Sequence, residues 1–444
     1  MRLKTFKKGV HPKEFKADSA SKPIERMPVP AEVIIPLQQH IGAPCTSVVS
    51  KGQTVKTGQV IGQSGGFVSS TVHATISGTI KTIEPLAHPA GPNVLSVVIA
   101  GDGKDEWFVN GTTQKSWEDL TRDEINNLIL SGGVVGLGGA AFPTHVKLNP
   151  PKNKSIDTLI INGCECEPYL TADHRMMVEF PDQIVLGIRI MLKTLGIRRA
   201  IIGIEANKPD AIASMAGAIA EYTDFTVQPL KVKYPQGAEK MLIDAILKRR
   251  VPTGGLPMDV GVVVQNVGTA LAIADAVASY RPLVERVVTV TGDAIKEPKN
   301  LTVRIGTSFQ NLIDYCGGLT ADAAMIIMGG PMMGIAQPSC QVPVVKATSG
   351  LLCLKGSSIP KNKEYPCIQC GACVSACPMQ LVPTRIARYS SRGDWETASS
   401  LGVLNCIECG SCAYICPARL PLVHQIRIGK LKVNELKRQP AVAK

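Results

Sequence analysis

From residue 31 to about residue 105, apolar and polar positions alternate between glycine turns, as in "TSVVSKGQTVKTGQVIG" and "VHATISGTIKTIEP". A period of two turns one face of a strand inward and the other outward, so this segment reads as a small all-β unit. From Trp117 to about Tyr280 the pattern changes. Apolar runs such as "TLIINGC", "RAIIGIE" and "GVVVQNV" alternate with longer stretches at helical spacing, "PDQIVLGIRIMLKTLG", "NKPDAIASMAGAIAEY" and "GTALAIADAVASY". That order predicts an α/β layer with parallel strands, a fold that binds ligands beyond the carboxyl ends of its strands. Residues 286–345 return to short β signals, "RVVTVTG", "NLTVRIG" and "AAMIIMGGPMMG", where the methionines read as soft core filling. Residues 378–405 again carry apolar positions at helical spacing.

A chain of 444 residues exceeds what one hydrophobic core organises, so about three to five packed units are expected. The formal charge of +12 changes the picture less than its size suggests. Residues 1–30 hold eight Lys/Arg against three acids and residues 421–444 hold six against one, so each end supplies +5 and the body retains about +2. Basic ends suit an acidic partner, an anionic membrane surface or plain solvation, whereas a nucleic-acid reading face would need basic residues spread over the body. No secretory pattern opens the chain, which reads as beginning near Met1 in the cytoplasm. The longest uncharged run, Ala323–Val345, is broken by Gly329, Gly330, Pro331, Gly334, Pro338 and Pro343, so any membrane association is expected to be peripheral.

Eight of the fourteen cysteines fall in two copies of one pattern. "CIQCGACVSACP" supplies Cys367, Cys370, Cys373 and Cys377; "CIECGSCAYICP" supplies Cys406, Cys409, Cys412 and Cys416. Three thiolates two residues apart wrap one face of a cubane, and the fourth, followed by proline, reaches the other cluster. On that rule Cys367, Cys370, Cys373 and Cys416 hold one [4Fe–4S] cluster, and Cys406, Cys409, Cys412 and Cys377 hold the second. Structural zinc prefers separated cysteine pairs, and a disulfide framework suits an oxidising compartment. The helical spacing between the two motifs points to a helical two-cluster ferredoxin, and two clusters held close together imply one-electron transfer.

"SGGVVGLGGAAFPTHVKL", residues 131–148, places glycines at 132, 133, 136, 138 and 139 ahead of Lys147. Backbone N–H groups in such a loop can approach a phosphate closely, but the spacing is neither a P-loop nor a dinucleotide fingerprint. The loop is followed by "NGCECEP", then "YPQGAEK" at 234–240, "VVQNVGT" at 263–269, the short β signals and the cysteine motifs. This order resembles the flavoprotein subunit of respiratory complex I and its relatives among NAD-linked hydrogenases. With a "GVHP" element at Gly9–Pro12, an N-terminal unit like the barrel-sandwich domains of biotin and lipoyl carriers, and two complete cluster motifs, the chain more closely resembles the RnfC family. That family is the peripheral subunit of the ion-translocating ferredoxin:NAD⁺ oxidoreductase (Rnf) complex.

The resemblance covers nearly the whole chain and implies a multidomain α+β protein. Its modules would be a basic N-terminal arm (1–30), a barrel-sandwich β domain (31–110), an FMN- and NADH-binding α/β domain (115–282), a β-grasp (SLBB) domain (285–350), a helical two-cluster ferredoxin domain (360–422) and a basic C-terminal tail (423–444). The carriers' swinging lysine is missing: none occurs between Lys56 and Lys81, and the expected hairpin tip reads "GGFVSSTV". Carried over by position, Gly136, Gly138, Gly139 and Lys147 would cradle the FMN phosphate and ring edge, with Asn162 and Glu165 lining the flavin. Glu167 and Glu239 would meet NAD(H), Phe142 would stack on its base, and Gly237 and Asn266 would complete the pocket floor. Leu137, Cys164, Ala238 and Gln265 stand where the complex I pattern has arginine, aspartate, glutamate and asparagine, which leaves Cys164 and Gln265 as altered flavin neighbours.

The function this implies is exchange of hydride between NAD(H) and FMN, then of single electrons through two [4Fe–4S] clusters. The implied partners are iron–sulfur and integral membrane subunits at the cytoplasmic face of the plasma membrane, with ferredoxin reached indirectly and nucleic acid excluded. Competing readings are the flavoprotein arm of a soluble NAD-linked hydrogenase and a non-catalytic iron–sulfur adaptor. No Ser-His-Asp or zinc-hydrolase constellation supports hydrolysis.

Overall fold

The computed structural model describes residues 3–109, 114–359 and 363–438. Met1 and Arg2 of the basic arm, residue 110 of the barrel-sandwich segment, residues 360–362 of the ferredoxin segment and residues 439–444 of the tail lie outside the described residues. At the centre, four parallel strands pair in the order Phe225–Leu230, Ala200–Glu205, Thr158–Gly163, Val262–Asn266. Three of the runs, within Ala200–Glu205, Thr158–Gly163 and Val262–Asn266, lack polar alternation because both faces are covered, whereas Phe225–Leu230, at one edge, alternates and is only partly buried. Leu159 and Ile161 pack into a core with the helices Pro181–Leu195 and Val267–Ala278, while Ile160 faces the opposite core with Leu242, Ile243 and Ile246 of the helix Glu239–Leu247. Proline opens the helix at Pro181, where no intrahelical N–H partner is needed, and Gly196 closes it with φ of +69°.

Around this layer the remaining modules are β, mixed and helical. Residues 31–109 form a four-stranded sheet, Glu32–Pro36, Gly91–Gly101, Gly78–His88 and Thr54–Val55, facing a three-stranded one over a core of Val33, Ile35, Ile61, Ile80 and Ile99. A six-stranded sheet, including Lys299–Arg304, Glu285–Thr291, Gly350–Lys355 and Ala323–Met328, packs the helix Phe309–Tyr315. The cysteine-rich segment is helical, with Ala372–Ala376, Pro383–Ser391, Trp395–Ser400, Ser411–Tyr414 and Leu422–Arg438 sharing one small core. No helix among the described residues is long and apolar enough to cross a membrane.

The described parts of both charged ends pack against the rest of the chain. Ile24–Arg26 adds a parallel edge strand to Lys299–Arg304, Lys4 and Val10 bridge to Leu230 and Tyr234, and Lys8 Nζ donates to the Val374 carbonyl at 2.9 Å. Lys16 is buried, its ammonium held by the carbonyls of Glu165, Glu167 and Leu170, and burial lowers its pKa. The arm therefore spends part of its charge inside the protein, as a strap across three modules. At the other end, Leu422–Arg438 buries Leu422, Ile426, Gly429 and Val433, while Arg427 and Lys430 pair with Glu408, Lys430 also donates to the Cys406 carbonyl at 2.8 Å, and Lys432 pairs with Glu435.

Candidate functional site

The carboxyl ends of the central strands gather most residues singled out in the sequence. Asn162 and Asn266 are register partners at the ends of neighbouring strands. Asn162 Nδ2 donates to the Gly237 carbonyl at 2.8 Å, while Asn266 caps the following helix by accepting from Gly268 N–H at 2.8 Å. The glycine loop lies over this edge. A Cβ at Gly138 would stand 3.1 Å from Asn266 Cβ, a tight contact that glycine avoids, whereas Gly139, at φ +143°, faces open space. Leu137 N–H donates to Thr269 Oγ1 at 2.9 Å, and Gly136 N–H to the Phe142 carbonyl at 2.9 Å, which fixes the loop at both ends. From the helix Thr144–Lys147, Lys147 reaches Glu239 Oε1 at 2.6 Å and the Val264 carbonyl at 3.2 Å.

These features fit a phosphorylated planar ligand. The loop offers an open glycine cradle, Lys147 and Glu239 stand half-exposed at its edge, and Gln265, 3% exposed, keeps its Nε2 without a hydrogen-bond partner among the described residues. A buried amide donor left unpaired is costly unless a ligand or water completes it.

Three of the expected flavin or nucleotide neighbours are engaged elsewhere. Cys164 is fully buried among Ile160, Ile201 and Leu242, with its thiol toward the Gly203 carbonyl at 3.7 Å, and burial pushes its pKa well up. Its side chain is core, which corrects the expectation that it faces the flavin. Glu165 caps the helix Ala172–Glu179, accepting from Asp173 N–H at 2.7 Å and His174 N–H at 3.1 Å. Glu167 turns into the junction of three modules, accepting from Met332 N–H at 3.1 Å and lying 3.3 Å from Tyr234 Oη. Burial pushes its pKa up to about 7. Tyr234 Oη also lies 2.7 Å from the Cys409 carbonyl. One phenol proton cannot serve both contacts; the carbonyl only accepts, so the phenol donates there and a protonated Glu167 can donate in return.

Two residues missed in the sequence emerge here. Asp173 is partly buried beside Asn266, whose Nδ2 donates to it at 2.6 Å, and desolvation together with neighbouring Glu165 raises its pKa. Tyr234, 1% exposed, is the other. Asp173 lies within an unremarkable "TADHR", and only its distance in space from Asn266 marks it.

The cysteines divide into two settings. Cys377, Cys406, Cys409 and Cys412 line a single cavity with Pro378, Ile407 and Ile426. Leu381 N–H points to Cys377 Sγ at 3.4 Å and Glu408 N–H to Cys406 Sγ at 3.3 Å, the donors that a thiolate-bound cluster uses. This lining brings together one cysteine from the first motif and three from the second. Of the other set, Cys373 and Cys416 pack into the shared helical core, as Cys406 and Cys412 also do, and Cys367 and Cys370 are exposed.

Family models match along the whole chain: the RnfC barrel sandwich hybrid domain over residues 4–104, the Nuo51 FMN-binding domain over 129–275, the SLBB domain over 287–336 and the 4Fe-4S dicluster domain over 366–420. One subunit of the proton-translocating ferredoxin:NAD(+) oxidoreductase complex of Clostridium ljungdahlii is 49% identical over 396 residues, 89% of this chain and 86% of that protein. One subunit of the Na(+)-translocating ferredoxin:NAD(+) oxidoreductase complex of Acetobacterium woodii is 48% identical over 429 residues, 97% of each chain. In Rhodobacter capsulatus, a subunit of the ion-translocating oxidoreductase complex is 42% identical over 96% of this chain and 83% of its own. Among solved structures, an NAD⁺-reducing [NiFe]-hydrogenase in the air-oxidized state shares the fold, with a TM-score of 0.52 and 18% identity over 74% of this chain and 69% of its own.

Proposed function

The chain belongs to the RnfC family of subunits of ion-translocating ferredoxin:NAD⁺ oxidoreductase complexes, and on that premise we propose that its strand-end site exchanges hydride between NAD(H) and FMN while its cysteine motifs carry electrons onward. The partners are the iron–sulfur and integral membrane subunits of such a complex, with ferredoxin reached through them. The chain sits peripherally on the cytoplasmic face of the membrane.

Bound at the strand ends, FMN supplies the conversion between a two-electron hydride and single electrons, which the two [4Fe–4S] clusters then carry. The chain's own residues bind and orient. Gly136, Gly138 and Gly139 open the backbone to the flavin phosphate, and Lys147 supplies its countercharge. Asn162, Gly237, Gln265 and Asn266 form the polar floor, with Glu165 and Asp173 holding that floor from behind. Glu239 and Phe142 stand toward the nicotinamide dinucleotide. Cys406, Cys409, Cys412 and Cys377 hold one cluster, and Cys367, Cys370, Cys373 and Cys416 the other. No side chain needs to act as a general acid or base.

The observation that carries this reading is the coexistence in one chain of a glycine-bounded strand-end site and a cavity lined by four cysteines, joined through Tyr234. The deciding measurement is the visible spectrum of anaerobically purified protein: a flavin band that bleaches on adding NADH, with about eight irons per chain. Zinc without acid-labile sulfide would sink the cluster assignment, and a flavin indifferent to NADH would sink the hydride exchange.

A further inference from the structure

The two cysteine sets differ in what surrounds them. The set Cys377, Cys406, Cys409 and Cys412 is walled in by the α/β domain, the arm and the β-grasp domain. Tyr234 donates to the Cys409 carbonyl at 2.7 Å, and Gly9 N–H donates at 3.0 Å to the carbonyl of Ala376, next to Cys377. Gly410 approaches so closely that a Cβ there would sit 2.6 Å from the Met332 carbonyl oxygen. Val10, Tyr234, Ala376 and Cys409 form one small buried cluster.

From Tyr234 the chain reaches the strand-end site in three residues. Gly237 accepts from Asn162 Nδ2 at 2.8 Å and points its N–H at Cys166 Sγ, 3.4 Å away. Of the other set, Cys373 is buried but half of the members face outward. Cys367 and Cys370 are exposed, Ile368 between them is 66% exposed and Tyr365 52%, and Tyr414 and Ile415 beside Cys416 are 49% and 40% exposed. Exposed apolar residues beside cysteines of this set suit a contact with a partner.

We propose an order and a positioning residue: the cluster held by Cys377, Cys406, Cys409 and Cys412 exchanges electrons with the strand-end site, the cluster held by Cys367, Cys370, Cys373 and Cys416 exchanges them with the partner subunit, and Tyr234 fixes the first against the α/β domain. This rests on the function proposed above and adds the direction in space that it lacks. Each step moves one electron from the reduced to the oxidised member of a pair, with no bond made or broken; NAD(H) stands at one end of the relay and the partner's electron carrier at the other, whichever way the electrons run. Burial and nearby dipoles set cluster potentials, so the phenol dipole directed at the Cys409 carbonyl would favour the reduced state of the cluster that Cys409 helps to hold.

The test uses the full-length, reconstituted protein and electron paramagnetic resonance. Cys377→Ser and Cys370→Ser assign the two cluster signals by loss. Tyr234→Phe is then expected to keep flavin and iron and to lower the potential of the signal that Cys377→Ser removes by about 59 mV, a tenfold change in a one-electron equilibrium, leaving the other unmoved. A shift confined to the signal lost in Cys370→Ser, or no shift in either, overturns the inference. A second measurement needs no change at Tyr234. An added paramagnetic lanthanide chelate is expected to broaden the signal of the Cys370 cluster and spare the other, and the reverse pattern also overturns it. If the unaltered protein's flavin fails to bleach with NADH, the underlying function fails instead, whatever the cluster signals do.

Discussion

Lys147 and Glu239 meet at 2.6 Å across the edge of the strand-end site, one from the short helix after the glycine loop and one from the first turn of the helix Glu239–Leu247. Both side chains stay about a third exposed, at 30% and 34%, so the pair contributes only about 0–1 kcal/mol to stability. Its removal therefore tests binding and leaves folding nearly untouched.

Lys147→Ala is expected to lose FMN and retain its iron, with the melting temperature lowered by less than about 4 °C. Flavin fluorescence released on denaturation and iron content read the two effects separately. Full flavin occupancy in this variant would reject the phosphate role of Lys147.

Crossed ligation makes a grouping prediction. Cys377→Ser and Cys409→Ser should abolish the same paramagnetic signal, and Cys416→Ser and Cys370→Ser the other, each leaving about four of about eight irons. If Cys377→Ser instead groups with Cys373→Ser, each motif holds its own cluster and the cavity lined by Cys377, Cys406, Cys409 and Cys412 is not a cluster site.

Gly187 sits where the helices Pro181–Leu195 and Val267–Ala278 cross, and a Cβ there would lie 1.9 Å from the Ala270 carbonyl oxygen. Alanine normally gains about 0.5–1 kcal/mol over glycine inside a helix. Here the clash is with backbone that cannot rotate away, so Gly187→Ala is expected to destabilise by about 2–3 kcal/mol despite that gain. Urea unfolding followed by circular dichroism measures it, and a stabilised variant would contradict the close crossing.

Asp173 is the group whose titration stability should report. Burial, then Glu165, raises its folded pKa above the unfolded value of about 3.9. The folded state thus holds a proton that the unfolded state has released, and stability falls as pH rises from about 4 to the raised folded value. Asp173→Asn keeps a side chain that can pair with Asn266 and removes the ionisation, so its melting temperature should vary less across that interval. Parallel pH profiles for the two proteins would remove Asp173 from this role.

Local chemistry was legible from the residues alone. Cysteine spacing along a few turns of chain decides which thiols can share a cluster, glycine runs permit a backbone cradle, and unbroken apolar strands such as "LII" at 159–161 require cover on both faces. Those are properties of neighbours in sequence. What tertiary structure alone decided depends on residues far apart: Lys16 placed on the carbonyls of Glu165, Glu167 and Leu170, Glu167 drawn into the junction beside Tyr234, Cys164 turned into the core, and the phenol of Tyr234 set on the carbonyl of Cys409, 175 positions away. Hydrophobic periodicity reports whether a residue is buried but not which distant group it meets. A short polar turn such as "CECEP" can present its carboxylates to a ligand, a helix end or another domain with equal local ease. The packing of the arm, the β-grasp domain and the ferredoxin helices around that turn chose among them, because a buried carboxylate or ammonium is tolerable only where partners are already in place.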